Sequence, residues 1–167
     1  MKPLIFIVLF VVVGCTPIAT YPPVENGVAI TFSNSENEPV PTIIAESLLY
    51  ANKCFGGVDG IVFYLPEGMS NETYVAVCAK LDGATPLHSP EQVAYYITSL
   101  RKRPFHAEVD MVFPSTTGQY EQATIYLSSS VIDPWKVTRN RVWLVPVKEL
   151  PLPNYELRGV GTTGDGE

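Results

Sequence analysis

The sequence predicts an α+β domain in which an antiparallel sheet packs against two helices. Two observations favour this class. Apolar residues recur at helical spacing in two segments, and the C-terminal half alternates apolar and polar residues over three consecutive segments. Helices and strands that are segregated along the chain are typical of α+β folds. We expect one domain over residues 27–150, which begins with a short strand at residues 27–32.

The first predicted helix covers residues 42–55. Apolar residues such as Leu48 recur there at helical spacing, and Gly56 follows the last turn, where glycine commonly ends a helix. A continuous apolar run at residues 60–65 and a second run at residues 74–81 come next. We predict that these two runs are strands of a hairpin.

The second predicted helix begins after Ser89 and ends at Pro104. Ser89 and Gln92 have the spacing of a capping box, and Leu100 belongs to the apolar stripe that would face the core. The basic run at residues 101–103 then lies in the last turn, where the helix dipole favours cations. We favour this interpretation over an anionic-lipid or polyanion site, which typically needs ~4–8 bases.

Three alternating segments predict a C-terminal meander of antiparallel strands. They cover residues 105–113, 120–128 and 135–147, and the last is long enough to need a bend or bulge near Asn140. Alternation of this kind predicts one buried face and one wetter face. Residues 151–167 have little to bury and end in glycine and acid, so we predict a disordered tail.

The predicted order of these elements resembles that of NTF2-like and cystatin-like domains. The resemblance lies in the last helix followed by three long strands, the third of which carries Trp135 and Trp143. It implies a curved sheet wrapped around a helix, with a ligand held in the resulting cone.

The N-terminal residues 1–14 have the pattern of an export signal. A basic start precedes an unbroken apolar run from Leu4 to Val13. This run is shorter than the ~20 residues of a membrane-spanning helix and fits the ~7–15 residues of a signal-peptide core. The motif Val12-Val13-Gly14-Cys15 resembles the lipobox of bacterial lipoproteins. An ordinary secretory signal and an uncleaved anchor are the alternatives, although no A-x-A-like cleavage site is present.

The lipobox resemblance implies that Cys15 is lipidated and becomes the first residue. Residues 15–26, which are rich in proline, would then be a tether. Stable anchoring takes two or more acyl chains, which the lipoprotein type of anchor supplies. The resemblance therefore implies a lipid-anchored protein of the bacterial cell envelope, with the membrane and an envelope protein as partners. Thr16 after the cysteine implies the outer membrane if the source is Gram-negative.

The charge of the exported chain argues against nucleic acid as a partner. Without Lys2 it has ten Lys and Arg residues against seventeen acids, so its formal charge is about −7. Binding of nucleic acid leaves a footprint of clustered Lys and Arg, which this composition lacks.

The cysteine count fits an oxidising compartment. With Cys15 assigned to lipid, Cys54 and Cys78 remain, and we predict that they form a disulfide. A loop of that size would stabilise the fold by ~3 kcal/mol on the chain-entropy model. The alternative is a pair of buried thiols that never meet.

His106, Glu108 and Asp110 are the strongest candidates for chemistry. They alternate along one strand, so they share a face, and an imidazole with two carboxylates could bind a metal ion or perform acid–base work. The competing interpretation is a wet sheet face on which cations neutralise the carboxylates. The cations considered for this role are Arg139, Arg141 and Lys80.

Aromatic residues of the last two strands are candidates for a binding surface, with core packing as the alternative. They are Tyr120, Tyr126, Trp135 and Trp143. The chain has no nucleophile elbow, zinc-protease motif or phosphate-binding glycine loop. We therefore expect a non-catalytic binding or scaffolding domain without a cofactor. The competing hypothesis is an enzyme that depends on a metal or small ligand at His106, Glu108 and Asp110.

Overall fold

The computed structural model describes residues 19–23, 34–56, 60–143, 147 and 149–151. Within these ranges the chain forms a seven-stranded sheet and two helices, which confirms the α+β class. The predicted leader with Cys15, the strand at residues 27–32 and the predicted tail after Pro151 lie outside the described residues. The elements in chain order are β1 (Ala19–Tyr21), α1 (Val40–Cys54), β2 (Val62–Tyr64), α2 (Asn71–Cys78), β3 (Thr85–Pro86), β4 (Tyr95–Lys102), β5 (His106–Pro114), β6 (Tyr120–Ser128) and β7 (Lys136–Trp143).

The sheet is mixed, so the prediction of an antiparallel sheet is wrong in part. The strand order is β3-β2-β4-β5-β6-β7, and β1 pairs with β4 beside β2. Strands β4 to β7 form an antiparallel meander, whereas β2 runs parallel to both β3 and β4. The β2–β3 pair is parallel because α2 connects the two strands, and a helical crossover returns the chain in its original direction. The connection at residues 87–94 then leads from β3 to the other side of β2, where β4 also runs parallel to β2.

Helix α2 occupies residues for which a strand was predicted. Its start is fixed by Ser70, whose Oγ accepts the backbone N–H of Thr73 at 3.3 Å. Tyr74 and Val77 then lie on the buried face, and burial raises the pKa of the Tyr74 hydroxyl. The apolar residues at 74–81 satisfy the helical spacing as well as the alternating one, so the cap decides between the two structures.

Strand β4 occupies the segment predicted as the second helix. Gln92 does engage Ser89, because its Oε1 accepts the backbone N–H groups of His88 and Ser89 at 2.8 and 3.0 Å. This pair closes a turn before β4 and does not begin a helix. The contact between Ser89 and Gln92 is therefore present, but the helix that it was predicted to begin is not.

A β-bulge explains why β4 has apolar residues at helical spacing. The register against β5 shifts between Ile97 and Ser99, which leaves Thr98 as an extra residue. In a regular strand Ile97 and Leu100 would point to opposite faces, but the extra residue brings both into the main core. Two core residues of one strand are thus three positions apart, which is a spacing typical of a helix.

Strand β1 lies within the segment predicted as a tether. Ala19 pairs with Lys102, and Tyr21 pairs with Leu100, in an antiparallel arrangement at the edge of β4. Both Ala19 and Tyr21 are buried. The folded unit therefore begins before the predicted boundary at residue 27, and this part of the tether belongs to the sheet.

Helix α1 confirms the first predicted helix and begins two residues earlier, at Val40. Pro41 lies in its first turn, where the missing N–H of proline costs no hydrogen bond. An ion pair of 2.6 Å between Lys80 and Glu38 connects the end of α2 to the start of α1. Neither described helix has the length and apolar character needed to cross a membrane.

The main core lies between α1 and one face of the sheet, which we call the inner face. The alternation predicted for β5 and β6 is confirmed, because these strands place their apolar residues in that core. The members from the two strands are Ala107, Val109, Met111, Phe113, Ala123, Ile125 and Leu127. Helix α1 contributes Ile43, Ile44, Leu48 and Ala51. The opposite side of the sheet is the outer face.

The last strand contains an irregularity close to the predicted position. The register between β6 and β7 shifts where Tyr126 pairs with Arg139 and Leu127 pairs with Val137, so Thr138 is the extra residue and not Asn140. The resemblance to NTF2-like and cystatin-like domains depended on a helix directly before the meander. Strand β4 occupies that place, and the resemblance stays a prediction.

The two cysteines of the described chain are both free thiols. Cys54 is the exposed last residue of α1, and Cys78 is the half-buried last residue of α2. Burial raises the pKa of the Cys78 thiol. The predicted disulfide is therefore not formed in this structure.

Candidate functional site

One half of the outer face is covered by the chain itself. Tyr96 of β4 and Val112 of β5 are buried there, and residues from the C-terminal segment, including Leu150, pack over them. Tyr120 belongs to this half, since its hydroxyl oxygen accepts the N–H of Ala94 at 3.3 Å. This contact favours core packing, the alternative interpretation of Tyr120.

The other half of the outer face is open and carries two of the four predicted aromatics. The guanidinium of Arg139 lies 4.0 Å from the ring centre of Tyr126, and that of Arg141 lies 4.1 Å from the ring centre of Trp143. Both are cation–π contacts. Trp135 lies elsewhere, because it packs against the main core.

Arg101 of β4 neutralises the two carboxylates that the sequence analysis singled out. Its Nη1 donates to Asp110 Oδ2 at 2.8 Å, and its Nε and Nη2 donate to Glu108 Oε2 at 3.3 and 3.1 Å. Burial alone would lower the pKa of Arg101, but the hydrogen bonds and charges of Asp110 and Glu108 together raise it. The guanidinium therefore stays charged.

The network continues across the next two strands. Thr124, which is buried, donates its hydroxyl to Asp110 Oδ1 at 2.6 Å and accepts the indole N–H of Trp143 at 3.1 Å. Arg101 also donates to Ser99 Oγ at 3.2 Å. A connected set of hydrogen bonds thus runs from β4 to β7.

The sheet register produces this arrangement. Arg101 pairs with Glu108, Glu108 with Tyr126, and Tyr126 with Arg139, so these four residues form one row across the strands. Cross-strand neighbours lie within about 4.5–5.5 Å at Cβ, which is close enough for ion pairs and ring contacts. The bulge at Thr98 is essential, because it moves Arg101 to the outer face while Leu100 stays inside.

A cleft of about 420 Å³ lies at the open half of the outer face. Three arginines line it, one of which, Arg103, extends from the connection after β4. Within the described ranges neither Arg103 nor Arg139 forms an ion pair, and both are exposed. The full lining is Arg101, Arg103, His106, Ala107, Glu108, Tyr126, Leu127, Thr138 and Arg139.

The charge of the cleft is opposite to that of the protein. The chain has a formal charge of −6, whereas the cleft is lined by three arginines, one histidine and one carboxylate. Glu108 is already paired with Arg101, so the guanidiniums of Arg103 and Arg139, which have no ion pair among the described side chains, leave the cleft lining with an excess of positive charge. The cleft is suited to an anionic group, and arginine binds carboxylate and phosphate oxygens in a bidentate manner.

The described residues do not bring His106, Glu108 and Asp110 together as a metal site. No cluster of His, Cys, Asp or Glu side chains in the described ranges has the geometry to hold a metal ion. The carboxylates of Glu108 and Asp110 face Arg101, and His106 is an exposed residue at the start of β5. The expectation that cations neutralise the carboxylates is correct, but the cation is Arg101 and not Arg139, Arg141 or Lys80.

Arg101 and Arg103 were not predicted as site residues, because the sequence pattern placed them in the last turn of a helix. Their spacing of two residues puts both on one face of an extended chain, next to the alternating acids of the following segment. That signal, a basic strand end before an acidic strand start, favours cross-strand ion pairs.

Comparisons of the chain with protein-family models, with curated proteins and with solved structures gave no match.

Proposed function

We propose that this chain is an exported bacterial lipoprotein, anchored through Cys15, whose domain is a non-catalytic binding module of the cell envelope. The ligand or partner presents an anionic group, a carboxylate or a phosphate, to the cleft on the outer face. The observation that supports this proposal most strongly is that Arg103 and Arg139, which form no ion pair with any described residue, share a cleft in an otherwise acidic protein.

The surroundings of the cleft suit binding more than catalysis. The guanidinium of Arg101, which lines the cleft, is held in place by its hydrogen bonds to Asp110 and Glu108, and Thr124 holds Asp110 in turn. Tyr126 supplies an aromatic wall against which Arg139 is already oriented. A preorganised arginine loses less side-chain entropy when an anion binds.

We expect Arg139→Gln to weaken anion binding about 10-fold, because a charge-assisted hydrogen bond contributes roughly 1.5 kcal/mol. The probes are inorganic phosphate and N-acetylglutamate, each titrated against the purified protein by calorimetry at low and high salt. Binding should fall as salt rises, since the site is partly exposed.

Lys53→Gln is the matched control for Arg139→Gln. Lys53 is an exposed cation in the last turn of α1, so it lies on the helix that covers the inner face. It should leave the affinity unchanged. The anionic-ligand proposal fails if neither probe binds the wild-type protein. It also fails if Arg139→Gln and Lys53→Gln bind the probes with equal affinity.

The anchor has its own test. We expect mass spectrometry of the protein from native membranes to find Cys15 as the first residue, with acyl chains attached. Cys15→Ser should abolish both the acylation and the cleavage. An intact leader in the wild-type product, or a cysteine at position 15 without lipid, would contradict the lipoprotein assignment and leave the cleft proposal standing.

A further inference from the structure

Three exposed apolar side chains lie at the same end of the sheet. Phe105, in the connection between β4 and β5, is 47% exposed, and Val131 and Ile132, in the connection between β6 and β7, are 90% and 91% exposed. The two connections touch, because the N–H of Ser129 donates to the carbonyl of Phe105 at 3.0 Å. We call these three residues the apolar tip.

Strand β1 begins at the end of the sheet that carries the apolar tip. Ala19 pairs with Lys102, Lys102 with Ala107, and Ala107 with Leu127, so Ala19 belongs to the last full row of the sheet before the two connections. Cys15 precedes Ala19 by four residues, a distance that an extended chain spans in at most about 14 Å. Any membrane attachment through Cys15 or the apolar run before it therefore reaches the domain from this end.

The charge around the apolar tip suits a bilayer with anionic headgroups. Arg103 and Lys136, both exposed, lie at this end of the sheet, against a single acid, Asp133, in the two connections and the strand ends beside them. Cations near an anionic membrane surface are favoured, and the effect decays within a Debye length. Cations beside exposed apolar side chains are typical of an interfacial membrane contact.

Ser130 pairs several polar groups of the loop that carries Val131 and Ile132. Ser130 Oγ accepts the N–H groups of Ile132 and Asp133 at 3.3 and 3.0 Å and donates to Asp133 Oδ2 at 2.8 Å, while the N–H of Ser130 donates to the carbonyl of Asp133 at 3.2 Å. These bonds hold the loop in one conformation and reduce the number of polar groups that depend on water. The loop thus presents two apolar side chains on a hydrogen-bonded turn.

We propose that the apolar tip inserts into the interfacial layer of the bilayer to which the chain is attached. The domain then contacts the membrane through the β4–β5 and β6–β7 connections, and the cleft opens next to the headgroups. Of the basic run at residues 101–103, Arg101 pairs with Glu108 and Asp110, and Arg103 lies beside the tip. The proposal rests on the proposed membrane attachment of the chain and does not depend on the ligand of the cleft.

The test measures how deep the tip lies in a membrane. The full chain with Ile132→Trp is reconstituted in vesicles of equal parts phosphatidylcholine and phosphatidylglycerol, with and without brominated acyl chains, and the wild-type emission is subtracted because two tryptophans are native. We expect bromine to quench the added emission by roughly half, since interfacial side chains reach ~5–10 Å into the headgroup and acyl boundary.

Thr117→Trp is the matched control, because Thr117 is exposed in the connection between β5 and β6 at the opposite end of the sheet. Its added emission should not be quenched. Equal quenching at both positions, or none at either, overturns the proposal. A blue-shifted but unquenched signal from Ile132→Trp also overturns it, because the tip would then be covered by protein, either a second copy or the apolar leader of the same chain.

Discussion

Leu100→Ala is expected to lower the free energy of unfolding by about 2–5 kcal/mol, the largest effect predicted for a single substitution here. Leu100 is fully buried, and its neighbours in the sheet are Tyr21 of β1 and Val109 of β5. Truncation removes the transfer free energy of the side chain and leaves a cavity where three strands meet. Urea denaturation followed by circular dichroism measures the change.

Val131→Ala is the control for Leu100→Ala. It also shortens an apolar side chain, but Val131 is almost fully exposed, so we expect a change within about 0.5 kcal/mol. A loss of less than about 1 kcal/mol for Leu100→Ala would contradict the position of β1 against β4, because an edge without β1 would leave Leu100 partly open to water.

Arg101→Met is expected to destabilise the domain by about 1–3 kcal/mol, because it leaves two carboxylates without their partner. The carboxylate of Asp110 is 18% exposed and would keep the hydroxyl of Thr124 as a donor. The side chains of Arg101 and Glu108 are 39% and 42% exposed, so solvent screens part of the cost and the effect stays below that of a fully buried pair.

A second substitution separates the unpaired charge from lost packing. Adding Asp110→Asn to Arg101→Met should recover at least half of the free energy of unfolding that Arg101→Met loses. The amide oxygen still accepts from Thr124, and the negative charge at position 110 is removed. Arg141→Met is the matched control, because Arg141 is exposed and contacts the ring of Trp143; we expect a loss of at most about 1 kcal/mol. If Arg101→Met is no worse than Arg141→Met, the ion pairs do not stabilise the sheet.

Strands β5 and β6 and helix α1 were predictable from local pattern alone. Each has a single periodicity that matches one structure, and each buries the face that its apolar residues define. The pairing of β5 with β6 also followed, since a short connection between two alternating strands favours a hairpin. The alternation also placed Glu108 and Asp110 on one face of β5, where both contact Arg101.

Two elements were predicted wrongly because a local pattern allowed two structures. The apolar residues of β4 fit a helix, and the bulge at Thr98 that reconciles them with a strand is visible only in the pairing with β5. The run in α2 fits a strand, and the cap at Ser70 decides for a helix. Because α2 is a helix, the segment predicted as a hairpin is a parallel crossover. Because β4 is a strand, Arg101 and Arg103 of the basic run lie at the cleft.

The sequence by itself determined the class of the fold, the inner faces of the central strands and the resemblance of the leader to a lipobox, because each depends on residues that are neighbours along the chain. The tertiary structure decided that Arg101 neutralises Glu108 and Asp110, that Arg103 and Arg139 share a cleft, and that Ala19 lies at the same end as Val131 and Ile132. These relations depend on strand order and register, which bring together residues that are distant in sequence. Register is set by packing over the whole sheet, and one extra residue in β4 is enough to turn a side chain from the core to the site.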